Sequence, residues 1–375
     1  MRPKSGLPKR KPIKSSPVFE FGLKDHPDAD FSVVREQPSL SVASFFCGCG
    51  GLDLGFLGGF SHLNQHYPPL PFTIEHAIDN DEKAIQTYRL NLQADAQCRD
   101  LTQVDKNNLK TCDVLTGGFP CQDFSSSGYK TGLGSERSNL YRQMVDYLTA
   151  KKPKVFVAEN VKHLARMQNG AVLKKIVGDF AGCGYSVKAW TIFCPDYGLP
   201  QSRTRLFIVG VRNDIDGFPV YPPPSHVMFP VSIDQAIDDL KPIKDEQVAN
   251  QSQYFVATRA TSGGGQGDHT NRRGKVAYAI RANAKARIQF HYELDRRLTV
   301  RECARLRGFP DEFIFPFSAG ANMMQIGNAV PPIIGHALAG AVGGFLLEAG
   351  RGKHRPQAEG RETVIDSRYI DECCT

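Results

Sequence analysis

From about residue 41 to 211 the chain alternates between short apolar runs and longer stretches with one polar face. The runs 42–46, 72–78, 113–115, 155–157 and 205–209 are short and rich in Val, Ile, Leu and Phe, as buried strands are. Between them, 81–92, 139–150 and 172–180 have helical spacing. This order of strand and helix predicts an α/β fold, a mainly parallel, doubly wound sheet with helices on both faces. Ligands of such sheets bind beyond the carboxyl ends of the strands.

The texture changes after Arg212. Residues 213–295 carry Pro219, Pro222, Pro223 and Pro224 and the run Gly263-Gly264-Gly265-Gln266-Gly267, and the alternation is lost. A smaller, loop-rich second domain is expected there. Helical pattern returns at 299–306, and 331–348 reads as one long helix. Its Gly and Ala residues permit close packing at some cost in helix propensity. The expected organisation is a basic tail at 1–38, a main domain from 39–212 with 296–348, the second domain at 213–295, and a polar tail at 349–375. The first tail has Arg2, Lys4, Lys9, Arg10, Lys11 and Lys14 with no acid before Glu20. It reads either as an arm that rides on phosphates or as a solubilising leader.

Composition narrows the picture only a little. The chain has 375 residues, 41% hydrophobic and 23% charged, which suits a soluble globular protein of two domains. No apolar run of membrane-spanning length and no signal-peptide core is read from it, so no membrane association is expected. Ten cysteines without a C-x-x-C pair support neither a zinc knuckle nor a disulfide framework, and a reducing compartment with no metal is expected. The net charge of +7 is compatible with a nucleic-acid partner.

The candidate chemistry lies near the strand ends. Phe46-Cys47-Gly48-Cys49-Gly50-Gly51 follows the first strand, where glycines let a backbone turn tightly against a ligand. Cys47 and Cys49 read as small packing residues. One strand later Asp79 is placed to accept from a ribose diol, and Asp100, in Arg99-Asp100-Leu101, from an adenine amino group. No phosphate-cradling Lys-Ser/Thr accompanies the glycines, so a nucleoside without a polyphosphate is the expected ligand. Cys121 follows Pro120 in a glycine-flanked loop, Glu159 ends an apolar run, and Arg203 and Arg205 precede another. A nucleophile, an acid and two cations suit attack on an electron-poor ring that is protonated and clamped. In the second domain Arg259, His269, Asn271, Arg272, Arg273, Lys275, Arg281, Asn283, Lys285 and Arg287 form a basic, polar set. Arg and Asn there can read base edges while Lys touches phosphates.

These segments resemble, in order, the C5 cytosine DNA methyltransferases of restriction–modification systems. The resemblance rests on Phe46 to Gly51, Gly118-Phe119-Pro120-Cys121-Gln122, Glu159-Asn160-Val161, Gln201-Ser202-Arg203-Thr204-Arg205, Arg297-Leu298-Thr299-Val300-Arg301-Glu302, Gly308-Phe309-Pro310 and Gln325-Ile326-Gly327-Asn328-Ala329-Val330-Pro331. It covers about residues 41–345. It implies the S-adenosylmethionine-dependent methyltransferase fold, S-adenosyl-L-methionine as donor and S-adenosyl-L-homocysteine as product. A cytosine flipped out of double-stranded DNA is the implied acceptor, and 213–295 the target-recognition domain. The implied cofactor contacts are Phe46, Gly48, Gly50, Gly51, Asp79, Asn80, Asp100, Leu101, Pro120, Leu140, Asn328, Ala329 and Val330. The implied substrate contacts are Phe119, Gln122, Ser125 and Gln201, beside the recognition arginines Arg272, Arg273, Arg281 and Arg287. Four departures stand out. Ser44 replaces an acid, Asp79 a glutamate, and Asn80 a larger apolar residue, while Arg137-Ser138-Asn139-Leu140 lacks a glycine after its arginine.

The expected mechanism has the Cys121 thiolate add to carbon 6, which makes carbon 5 enamine-like. Glu159 shares a proton with ring nitrogen 3, and an arginine of the 203/205 pair binds O2 by the family correspondence. Nearby cations raise the thiolate fraction. No side chain is assigned to removal of the carbon 5 proton, for which water is an option. The segment 125–139, rich in Ser and Gly, is expected to close as a lid behind the flipped base. The resemblance leaves room for a cognate restriction endonuclease acting separately. It suggests a monomeric prokaryotic protein of the cytoplasm, associated with the nucleoid. A related enzyme acting on cytosine in transfer RNA, and a non-catalytic DNA-binding homologue, are the alternatives.

Overall fold

The structure, a computed structural model, describes residues 39–92, 95–120, 140–243, 248–251, 268–282 and 288–350. In chain order the elements are β1 (Leu40–Phe45), α1 (Gly51–Leu57), β2 (Phe60–His62), β3 (Gln65–Tyr67), β4 (Phe72–Asp79), α2 (Glu82–Leu92) and β5 (Ala96–Cys98). Then come β6 (Val114–Gly117), α3 (Arg142–Lys151), β7 (Val155–Val161), α4 (Ala171–Gly182), β8 (Tyr185–Phe193) and β9 (Thr204–Arg212). The remainder holds α5 (Ile233–Ile237), β10 (His269–Thr270), β11 (Gln289–Phe290), α6 (Val300–Leu306), α7 (Ala319–Asn328) and α8 (Pro332–Gly350).

Seven strands form the main sheet in the order β5-β4-β1-β6-β7-β9-β8. Neighbours from β5 to β7 are parallel, and β9 alone runs against both its neighbours. The expected mainly parallel α/β sheet is therefore the one found. Successive strand side chains face opposite sides, and here both sides are covered. Val42, Val114, Val157 and Val209 enter a core with α1, α6 and α8, whereas Ala43, Leu115, Phe156 and Ile208 enter one with α3 and α4. Burial on both faces is why these strands read as unbroken apolar runs.

The long helix α8 lies against α1 at a glycine crossing. A Cβ on Gly55 would stand 2.6 Å from the Cα of Gly335, so the two backbones touch where a side chain would hold them apart. Contrary to the expectation of no apolar run of membrane-spanning length, residues 319–350 reach it in length and composition. The stretch is α7 and α8 joined at Ala329 and Pro331, and 61% of its apolar window is buried in the protein, as in a core helix. Strand β8, hairpin β2–β3, β5 and α7 were not anticipated. β8 alternates buried and open positions at the sheet's edge, and α7 has two glycines and two asparagines that weaken its helical signal.

Candidate active site

The turn after β1 is held by the end of β4. Phe46, Gly48 and Gly50 all have positive φ, at 54°, 54° and 91°. Gly48 N–H donates to Asp79 Oδ2 at 2.8 Å, and Asp81 N–H donates to Asp79 Oδ1 at 2.9 Å. A carboxylate has about four acceptor positions, so Asp79 keeps acceptor capacity after fixing the turn. Burial raises its pKa against the pull of those two N–H groups. Behind the turn the chain end returns: a Cβ on Gly51 would meet the Val330 carbonyl at 2.3 Å, so the α7–α8 junction closes directly onto the loop.

Turn and junction wall a cavity of about 600 Å³, within the usual range for small-molecule sites. Of the residues expected at the site, Phe46, Gly48, Gly51, Asp79, Asn80, Phe119, Pro120, Glu159, Arg203, Arg205, Asn328, Ala329 and Val330 all line it. Strand order explains the convergence. β1, β4, β6 and β7 end on one edge, and antiparallel β9 begins there, with Arg205 opposite Val161. Asn160 Nδ2 donates to the Phe119 carbonyl at 3.0 Å, which ties the end of β6 to β7 just before Cys121.

Glu159 and Arg205 form an ion pair, Nε to Oε1 at 2.7 Å, both largely shielded from solvent. The Nε–H is off the line to the carboxylate and makes no hydrogen bond, so the pair is held by charge rather than by directed donation. Of the two arginines expected to supply the ring-binding cation, Arg203 is bonded to backbone. Its guanidinium donates to the carbonyls of Ile280, Gly327 and Ala329, at 3.3 to 3.5 Å. Arg307, fully buried, donates to Ile280 and Gly327 as well and to Ile326. The two arginines thus join β9, α6, the α7 terminus and the segment at 280. Burial, then the neighbouring Arg307 and Arg205, pushes the Arg203 pKa strongly down, while burial and Arg205 bring Arg307 down to about 9. Three guanidinium groups stand near one carboxylate, Glu159, and the positive excess favours an anion such as a thiolate.

Four of the expected cofactor residues do not line the cavity. Gly50 faces away, and a Cβ there would strike Leu92 and Tyr88. Asp100 is exposed and accepts from the N–H and hydroxyl of Thr102, Leu101 is in the core, and Leu140 opens the turn before α3. Gln201 is fully buried, donating to the Leu306 carbonyl, so it presents no surface to a nucleic acid. Arg273 is taken up by Glu293 at 2.6 Å and Asp238 at 3.4 Å and lies over the Tyr292 ring. Arg272 and Arg281 are exposed. Cys121, Gln122, Ser125, Arg287 and the proposed lid lie outside the described residues. Among those described, no cluster of His, Cys, Asp and Glu suits a metal.

Sequence reasoning passed over Gln325, which lines the cavity almost fully buried, with neither its Nε2 nor its Oε1 bonded to the protein. It stands within a quoted motif, so the signal was present. It also passed over Asp53. That residue accepts from Ser44 Oγ at 2.8 Å and from the Tyr88 hydroxyl at 2.7 Å, so a carboxylate does stand beside Ser44, brought by α1. Burial outweighs both donors and lifts the Asp53 carboxyl to about 6. The folded state therefore holds this proton more tightly than the unfolded one. Its contribution is complete below about pH 4 and is lost as pH rises through the folded value. Asp53→Asn should gain on the wild type between acid and neutral pH, by on the order of 2–3 kcal/mol. Urea unfolding at both ends of that window measures it, and parallel profiles for the two proteins would refute the assignment.

A family model for C-5 cytosine-specific DNA methylase matches residues 40–262 and 243–344. The chain is 34% identical over 328 residues to the Type II methyltransferase M.NgoFVII of Neisseria gonorrhoeae, spanning 78% of this chain and 83% of that one. It is 30% identical over 396 residues to the Type II methyltransferase M.BsuRI of Bacillus subtilis, spanning 91% and 88%. The solved structure of the Entamoeba histolytica methyltransferase EhMeth shares the fold, with a TM-score of 0.62 at 19% identity over 83% of this chain and 99% of that one. The ordered motifs converge on this cavity, and the chain belongs to the C-5 cytosine-specific DNA methylase family.

Proposed function

We propose that the protein moves a methyl group from S-adenosyl-L-methionine to carbon 5 of a cytosine turned out of a specific duplex sequence. We further propose that it is the modifying partner of a separate restriction endonuclease, working on nucleoid DNA in the cytoplasm. The observation that carries the reading is that one cavity is lined both by the Gly48–Asp79 turn and by Pro120, Glu159 and Arg205.

The residues present fit an adenosyl amino acid. Asp79 offers acceptors to a ribose diol. The buried, unbonded carboxamide of Gln325 offers a donor and an acceptor to a zwitterion. When bound, the cofactor supplies an electrophilic methyl on a sulfonium. The protein's part is to activate the ring. Cys121 adds its thiolate to carbon 6, the C5=C6 electron pair moves to carbon 5, and nitrogen 3 takes a proton from Glu159, which Arg205 holds in place. Once carbon 5 is methylated, its proton passes to a base such as water, the returning pair expels the thiolate, and nitrogen 3 gives its proton back to Glu159. Arg203 holds the wall of the cavity by its carbonyl bonds, and with Arg205 and Arg307 supplies the field that favours the thiolate. Residues 213–295 serve as the target-recognition segment, with Arg272 and Arg281 toward the nucleic acid.

Transfer of tritiated methyl to duplex DNA, with transfer RNA as comparison, tests the reading directly. Label in transfer RNA alone would replace it. Asp79→Ala is expected to weaken S-adenosylhomocysteine binding by about 10- to 100-fold, the loss of hydrogen bonds made by a charged group. Calorimetric titration reads this, and unchanged affinity would remove Asp79 from the ribose.

A further inference from the structure

After β9 the chain turns back along β8, the outer strand of the sheet. Lys188 lies 4.6 Å over the Phe218 ring, Trp190 meets the edges of Phe218 and Tyr221, and the Tyr221 hydroxyl donates to the Thr191 carbonyl. Further on, the Tyr197 hydroxyl donates to the Pro222 carbonyl, and Ser225 and His226 N–H donate to the Asp196 carbonyl. The contacts advance from Lys188 to Asp196, so the segment travels toward the carboxyl end of β8. That end pairs Phe193 with Thr204 of β9, and β7 on the other side of β9 pairs Val161 with Arg205. It is the same edge of the sheet onto which the catalytic cavity opens.

At this edge the chain presents Val227, Met228 and Phe229, which are 56%, 80% and 83% exposed. The projection stands on a fixed base. Prolines 222–224 precede it and Pro230 follows. The His226 ring sits against Gly198, where a Cβ would come within 2.9 Å of it. Phe193 and Val161, at the ends of β8 and β7, are partly exposed on the same edge. Exposed Lys275 is tied in by the Ile233 N–H to Lys275 carbonyl bond, and exposed Arg272 closes the same turn.

We infer that Val227, Met228 and Phe229 form an apolar wedge that bears on the duplex beside the nucleotide drawn into the cavity. This rests on DNA being the substrate. A base that leaves the stack exposes the apolar faces of its neighbours, and Phe, Met and Pro projections are the side chains that fill such opened steps. Arg272 and Lys275 suit the flanking phosphates. Keeping three large apolar groups in water is unfavourable, and the opened step is where that cost is recovered.

The test uses the full chain and a short duplex containing the site at which the wild type deposits methyl groups, mapped by bisulfite sequencing. The double substitution Met228→Ser, Phe229→Ser is expected to raise the duplex Kd by about 5- to 100-fold, the range for lost base stacking. It should leave S-adenosylhomocysteine affinity unchanged. Val220→Ser, 64% exposed but earlier on the same segment, should change neither. Benzoylphenylalanine in place of Phe229 should cross-link to the DNA beside the target cytosine. Wild-type duplex affinity in the double variant would overturn the wedge, as would cross-linking only to a second copy of the chain. Failure of the wild type itself to bind any duplex, with S-adenosylhomocysteine still bound, would instead remove the DNA reading on which the wedge rests.

Discussion

Glu159→Gln is expected to slow methyl transfer by about 10³-fold, the middle of the range for loss of a positioned general acid. The amide keeps the shape of the side chain but cannot pass a proton to ring nitrogen 3, so charge on the attacked ring goes unneutralised. It also removes the carboxylate that stands 2.7 Å from Arg205 and faces the shared field of Arg203, Arg205 and Arg307. The variant should fold, because a carboxamide fills the same space, although the charge attraction to Arg205 is lost. Single-turnover rates at saturating DNA and cofactor isolate the chemical step. The expected pattern is a fall in kcat with S-adenosylhomocysteine affinity preserved. A rate within tenfold of the wild type would show that nitrogen 3 takes its proton elsewhere.

The parts of this arrangement that could be read from the chain are those set by short-range pattern. Strands buried on both faces announce themselves as apolar runs, and the turns after β1 and β6 announce themselves by glycine and proline. Edge strand β8 gives only alternation. The partners of charged groups were not legible, because they come from segments far apart in sequence. Glu159 and Arg205 face each other only because β9 runs against β7. Arg203 and Arg307 share the carbonyls of Ile280 and Gly327, brought together from four segments. Motif position likewise gave neighbourhood without direction: the carboxylate of Asp100 turns to Thr102, and Leu101 is packed in the core. The surface partners of Arg273, Asp238 and Glu293, were equally out of reach of the sequence.

Cys121→Ala is expected to remove turnover altogether, by on the order of 10⁴-fold or more, as loss of a covalent nucleophile does. Cys121 lies outside the described residues, yet its point of attachment is placed. Pro120 lines the cavity with Glu159 and Arg205, and the carbonyl before it is held by Asn160. The other thiols nearby are poor substitutes. Burial pushes Cys49 up to about 12 and Cys194 up to about 11, and raises Cys47 well above its ordinary value with help from Asp53 and Asp79. A duplex with 5-fluorocytosine at the target position discriminates between them. Fluorine in place of the carbon 5 hydrogen blocks the final proton loss, so the wild type should be caught as a protein–DNA adduct stable to denaturation. Cys121→Ala and Cys121→Ser should give no adduct while still binding S-adenosylhomocysteine as tightly as the wild type. An adduct that survives either substitution would move the nucleophile to another side chain. Cys47, which also lines the cavity, would then have to act as a thiolate against the burial and the two carboxylates that oppose it.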